Sequence, residues 1–77
     1  MSKELLAQAA TAVIRAQGAS SGLLMHELDT DFDVASRLID ELHRLGIIAG
    51  PNGSQRREVL YRPGQLDTAI NKIQKEN

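Results

Sequence analysis

Three observations predict a mainly α fold with a small β-hairpin, arranged as a winged helix-turn-helix (three helices plus wing) with an extra C-terminal helix. Apolar residues recur at helical spacing in four separate segments. The third segment ends on Gly46 and runs straight into the short β-branched stretch Ile47, Ile48, Ala49. A turn rich in Gly, Pro and Asn then leads to a second strand carrying Arg56 and Arg57. A helix feeding into a basic hairpin is the arrangement that puts one helix in a DNA groove and the hairpin on the flanking backbone.

Each element has its own justification. Ser2 is placed to cap a first helix whose apolar stripe is Leu5, Leu6, Ala9, Ala10, Val13 and Ile14, with Gly18 as its stop. Ser20 or Ser21 can cap a shorter second helix in which Leu24, Leu28 and Met25 face inward. Asp29, Thr30 and Asp31 form the turn, and Thr30 or Asp31 caps the third helix. That helix is expected over residues 32–45, with Ala35, Leu38, Ile39, Leu42 and Leu45 on its apolar face and Gly46 as a left-handed cap. Gly50-Pro51-Asn52-Gly53-Ser54 is turn chemistry, and Glu58 to Tyr61 form the return strand until Pro63-Gly64 ends it. Leu66 to Lys75 is amphipathic, with Asp67 early and Lys72 and Lys75 late, as the helix dipole favours. The organisation expected is one winged-helix domain over 1–64 and a helical extension over 65–77, packed on that domain or on a second chain.

Seventy-seven residues allow a single domain. A core this small contributes only about 3–5 kcal/mol net, and with one Phe, one Tyr and no Trp it has to be aliphatic. The absence of cysteine excludes disulfides and thiolate metal sites and makes a cytoplasmic location the expectation. No apolar run is long enough for a membrane span or a secretory leader, and the chain reads as complete from Met1. The formal net charge is −1, but it is unevenly spread. Residues 18–46 hold six acids against Arg37 and Arg44, whereas residues 47–64 hold Arg56, Arg57 and Arg62 against Glu58. The helix-turn-helix is acidic and the wing is basic.

The segments RAQGASSGLLMHEL, FDVASRLIDELHRLGII and NGSQRREVL give the stretch from Leu5 to Leu60 a resemblance to the gamma domain of the bacterial DNA translocase FtsK. The resemblance implies a winged helix that recognises short, polarised G-rich sites, guides translocation and contacts a tyrosine recombinase. It covers about three quarters of the chain. Without a motor attached, it reads as a free-standing relative. The family's third helix opens Tyr-Asn-Arg-Ala-Ala-Arg, with the Asn and the first Arg where bases are read. Here Phe32 stands in the tyrosine place, Asp33 in that of the asparagine and Val34 in that of the first arginine. Ala35 and Arg37 match, and Ser36 replaces an alanine. Aspartate can accept a hydrogen bond from cytosine N4 in the major groove, and valine offers only a methyl contact, so the G-rich preference is expected to change. The tail after Pro63 has no counterpart in the family pattern.

Arg56 and Arg57 are the candidate phosphate contacts, and Ser36, Arg37 and Arg44 the candidate DNA contacts of the third helix. The bland alternative is a solvated face laced by Asp33–Arg37 and Asp40–Arg44 pairs. Asp29, Asp31, Asp33 and Asp40 are the candidate residues for docking a protein partner, with Asp31 equally suited to capping. His26 and His43 lie on different helices without cysteine, so no metal site is expected. Nor is a cofactor, and no constellation points to an enzyme. Three readings follow. The chain is a winged-helix protein binding double-stranded DNA as a site-recognition or regulatory factor. Alternatively it is a protein-interaction module, such as a mobile-element or regulatory protein, whose acidic helix docks a DNA-handling partner. The third is a homodimer assembled through Leu66, Ile70 and Ile73.

Overall fold

The computed structural model describes residues 1–76. Four helices carry the fold: α1 (Lys3–Ala16), α2 (Ser21–Glu27), α3 (Phe32–Arg44) and α4 (Leu66–Lys75), the last entered through a 3-10 turn at Pro63–Gln65. Residues 46–62 form an irregular arm between α3 and that turn.

Three N-caps follow the sequence. Ser2 Oγ accepts from the Leu5 N–H at 3.2 Å, Ser20 Oγ from Leu23 at 3.1 Å and Asp31 Oδ1 from Val34 at 2.9 Å. At the other ends, α1, α2 and α3 are each closed by a residue in the left-handed region: Gln17 (φ 53°), Asp29 (φ 51°) and Gly46 (φ 76°). At Gly46 the closure is a full Schellman motif, with Gly46 N–H to His43 O and Ile47 N–H to Leu42 O, both at 2.9 Å. The same pair of bonds recurs at Gln17, from Gln17 to Ile14 O and from Gly18 to Val13 O, both at 3.2 Å. Gly18 is therefore not the residue that stops α1. It serves a different purpose: a Cβ there would overlap the Arg56 guanidinium.

The core is aliphatic, as the composition requires. Val13, Ile14, Leu24, Leu38, Leu42, Ile47, Ile48 and Ile73 are fully buried, and among the described residues no polar or charged side chain is. Helix α4 packs against α1 of its own chain, burying Ala69 and Ile73. A dimer seam through Leu66, Ile70 and Ile73 is thus short of one of its three residues, because Ile73 already fills the domain's own interior. The start of α1 and the end of α3 are both fastened to the C-terminal end of α4. Lys3 Nζ donates to Gln74 O at 3.0 Å, and Arg44 Nη1 bonds Glu76 Oε1 at 3.0 Å.

The expected two-stranded hairpin is reduced to isolated bridges. Ile48 pairs antiparallel with Val59, through Ala49 N–H to Glu58 O and Leu60 N–H to Ile47 O, both at 2.9 Å. Arg57 pairs separately with Ala19, in the connection between α1 and α2. The physical reason is a shortage of free donors. Extended outward, the register would pair Pro51 with Arg56, but proline has no N–H and the Arg56 N–H is taken by Ser54 Oγ at 3.1 Å. Inward, the Ile47 N–H is already committed to Leu42 O. Only two ladder bonds remain, so Ile47–Ala49 and Glu58–Tyr61 do not form regular strands.

The expected Asp33–Arg37 and Asp40–Arg44 pairs are also absent among the described residues. Arg44 turns instead to Glu41, one turn back, at 2.8 Å, and from there reaches Glu76 on the far side of the cleft. The Arg44 hydrogen bonds hold the Glu41 carboxyl below the ordinary glutamate range, with burial opposing.

Two outcomes are expected. Gly46→Ala forces a Cβ into the left-handed region and costs about 1 kcal/mol in denaturant unfolding, with an unchanged slope. Because Glu41 is more acidic folded than unfolded, its stabilisation is complete above about pH 4.3 and is lost as pH falls through the lowered folded value. The midpoint gap between the parent chain and Glu41→Gln should accordingly be open at neutral pH, close on acidification and narrow in high salt.

Candidate nucleic-acid interface

Helix α3 turns Ala35, Leu38, Ile39 and Leu42 into the core, which leaves Asp33, Ser36, Arg37, Asp40 and Arg44 on the outward side. Of these, Ser36 is half-buried and the others exposed. Val34 is half-buried against the core, so it does not belong to the outward face. Phe32, the chain's one phenylalanine, is 62% exposed at the first turn of α3. It lines a shallow hollow with Ser20, Ser21, Gly22, Met25 and Gln55. The start of α3, the start of α2 and the arm therefore meet around one concavity.

The candidate arginines divide into two kinds. Arg37 has no hydrogen bond or ion pair to another side chain among the described residues. Arg44, by contrast, is bound by two carboxylates in a cleft between α1, α3 and α4 that Arg37 and Asp40 also line. Arg56 is exposed but anchored, its Nη2 donating to Ala16 O at 2.9 Å over the open face of Gly18. Arg57 is half-buried and held by backbone pairing alone, giving its N–H to Ala19 O at 2.7 Å and accepting from the Ala19 N–H at 3.0 Å.

Among the acids, Asp31 is the cap of α3 and Asp29 the left-handed residue closing α2. Asp33 and Asp40 have no ion-pair partner among the described residues. His26 approaches Glu27 at 3.7 Å, while His43 lies against Gly50. No group of three metal-ligating side chains comes together among the described residues, and no helix is long and apolar enough to cross a membrane.

Two residues outside the candidate set drawn from the sequence organise the arm. Gln17 donates through Nε2 to Ile14 O at 2.7 Å and to Tyr61 O at 2.8 Å, and its Oε1 accepts from Arg62 Nη1 at 2.9 Å. Nothing in the sequence announces a glutamine in the left-handed region. Arg62 was visible only as one charge in the basic block.

Comparison with known proteins places the chain in a family. The family model described as the Ftsk gamma domain matches residues 1–62. DNA translocase FtsK of Tropheryma whipplei is 38% identical over 69 residues, which is 90% of this chain and 9% of the relative. The DNA translocase FtsK of Streptomyces coelicolor is 35% identical over 74 residues, 96% of this chain and 8% of the relative. That of Chlorobaculum tepidum is 40% identical over 55 residues, 71% of this chain and 7% of the relative. The chain thus spans less than a tenth of the length of these relatives. No solved structure matches it. The chain belongs to the FtsK gamma domain family.

Proposed function

We propose that this chain binds double-stranded DNA as a winged helix, with α3 as the helix that enters the major groove and the arm as its wing. It acts as a site-recognition or regulatory factor whose sequence preference differs from that of its relatives. The observation that carries this reading is the exposed face of α3, with unpaired Arg37 and adjacent Ser36, standing beside an arm that bears Arg56 and Arg57. The Ala19–Arg57 and Ile48–Val59 bridges are the minimal version of a three-stranded wing base. Membership of a family whose named relatives are DNA translocases supports the same reading. In it, Arg37 and Ser36 reach base edges and the arm arginines neutralise phosphates. Arg44, committed to Glu41 and Glu76, braces α4 instead of touching DNA.

A second reading has its own support. Asp33 and Asp40 are exposed and unpaired on the face meant for DNA, which suits docking on a basic protein surface of a DNA-handling partner.

Fluorescence anisotropy of labelled duplexes, one G-rich and one scrambled, separates the two. On the DNA reading, the chain binds at micromolar concentration or tighter at about 50 mM salt and weakens steeply by about 200 mM. Arg57→Ala then flattens the salt slope by about 0.9, and Arg37→Ala erases any difference between duplexes. If the parent chain binds neither duplex while Asp33→Arg does, the acidic face has displaced DNA binding and the second reading stands.

A further inference from the structure

We propose that the C-terminal end of α1 is a contact surface for the phosphate backbone of duplex DNA, formed by Arg15, Arg56 and Arg62. The proposal rests on the DNA-binding reading and adds to it a surface that lies apart from α3. Three guanidinium groups gather around one helix end. Arg15 stands exposed in the last turn of α1. From within the arm Arg56 reaches Ala16 O, and from its far end Arg62 reaches Gln17 Oε1, both at 2.9 Å. None of the three has a carboxylate within ion-pair distance among the described residues. Glu4 and Glu27 line the same groove between α1 and α2 that Arg15 borders, but neither pairs with it.

A helix C-terminus alone repels anions, since it carries about half a negative charge. Here Arg56 and Arg62 are hydrogen-bonded to residues 16 and 17 and Arg15 lies in the last turn, so three positive charges oppose it. The two anchored guanidinium groups each give the protein one N–H of five, which leaves donors in the planar fork that matches a phosphate. Their anchoring also removes rotamer freedom before any ligand arrives, so less is lost on binding. Gly18 belongs to the same device, because only a residue without Cβ lets the Arg56 guanidinium lie across it.

The test uses the full chain, a labelled duplex and a salt series from about 50 to about 200 mM. Arg15→Ala should lower the slope of log K against log salt by about 0.9, and Arg62→Gln should do the same, with preference between duplexes unchanged. Lys75→Ala, which removes a cation from the end of α4, should leave the slope alone. Gly18→Ala keeps every charge but displaces Arg56, and should weaken binding severalfold. The Arg15 side chain makes no polar contact among the described residues, so its variant carries the test even if Arg62→Gln loosens the arm; circular dichroism melting reports that loosening. Should the parent chain bind while Arg15→Ala and Arg62→Gln keep its full slope, the surface is not a phosphate contact. Should the parent chain bind neither duplex at the lowest salt, the DNA reading and this surface fall together.

Discussion

The arm beyond α3 hangs on the end of α1 and the residues that follow it. The arm of residues 46–62 has two ladder bonds of its own, too few to hold a hairpin in place. It is held instead at three points within residues 16–19: Arg56 on Ala16 O, Tyr61 and Arg62 on the Gln17 side chain, and Arg57 on the Ala19 backbone. Gln17 occupies the left-handed region at a cost of about 1 kcal/mol. Its amide group makes three hydrogen bonds, each worth about 1 kcal/mol net, and these offset the strain. A glycine would relieve the backbone and release the arm.

The same economy governs α4. A core without aromatic residues in its interior has little apolar surface to spend, and α4 contributes Ala69 and Ile73 to it. Polar contacts then fix the helix's far end, where Lys3 and Arg44 arrive from the beginning of α1 and the end of α3. These contacts are exposed and individually weak. Their effect is positional, holding the buried face of α4 over α1 and filling a place that a second chain would otherwise have to fill.

Helix boundaries, caps and the apolar stripe were legible because they depend on neighbours three and four residues apart. Ser2, Ser20, Asp31 and Gly46 all act locally, and each sits where its side chain or its lack of one is needed. The hairpin was misread for a complementary reason. Its strands carry the right residues, but whether a ladder forms depends on which N–H groups are free, and Ile47 and Arg56 have spent theirs on Leu42 and Ser54. Side-chain choices between distant partners were equally hidden. Arg44 prefers Glu41 and Glu76 to Asp40, and a contact across 32 residues leaves no trace in local spacing. The candidate site was therefore visible as a set of charges, while the split into anchored, paired and free arginines was not.

That split bears on how an acidic helix can serve in a DNA groove. A carboxylate facing a phosphate at close range is repelled, and with Asp33 and Asp40 exposed and unpaired this repulsion is not cancelled within the chain. On the DNA-binding reading the attraction has to come from elsewhere, and the arm and the end of α1 are where arginines without a carboxylate partner collect. The acids then act by exclusion. They forbid orientations that bring α3 against the backbone, and tolerate one in which Asp33 faces a base edge with a donor to offer, which in the major groove is the amino group of cytosine or of adenine. Specificity of this kind comes as much from what the helix rejects as from what it binds. It requires the cations to be fixed in place, because a freely swinging arginine would neutralise the same carboxylates that do the rejecting. Anchoring Arg56 and Arg62 on α1 keeps the two fields apart.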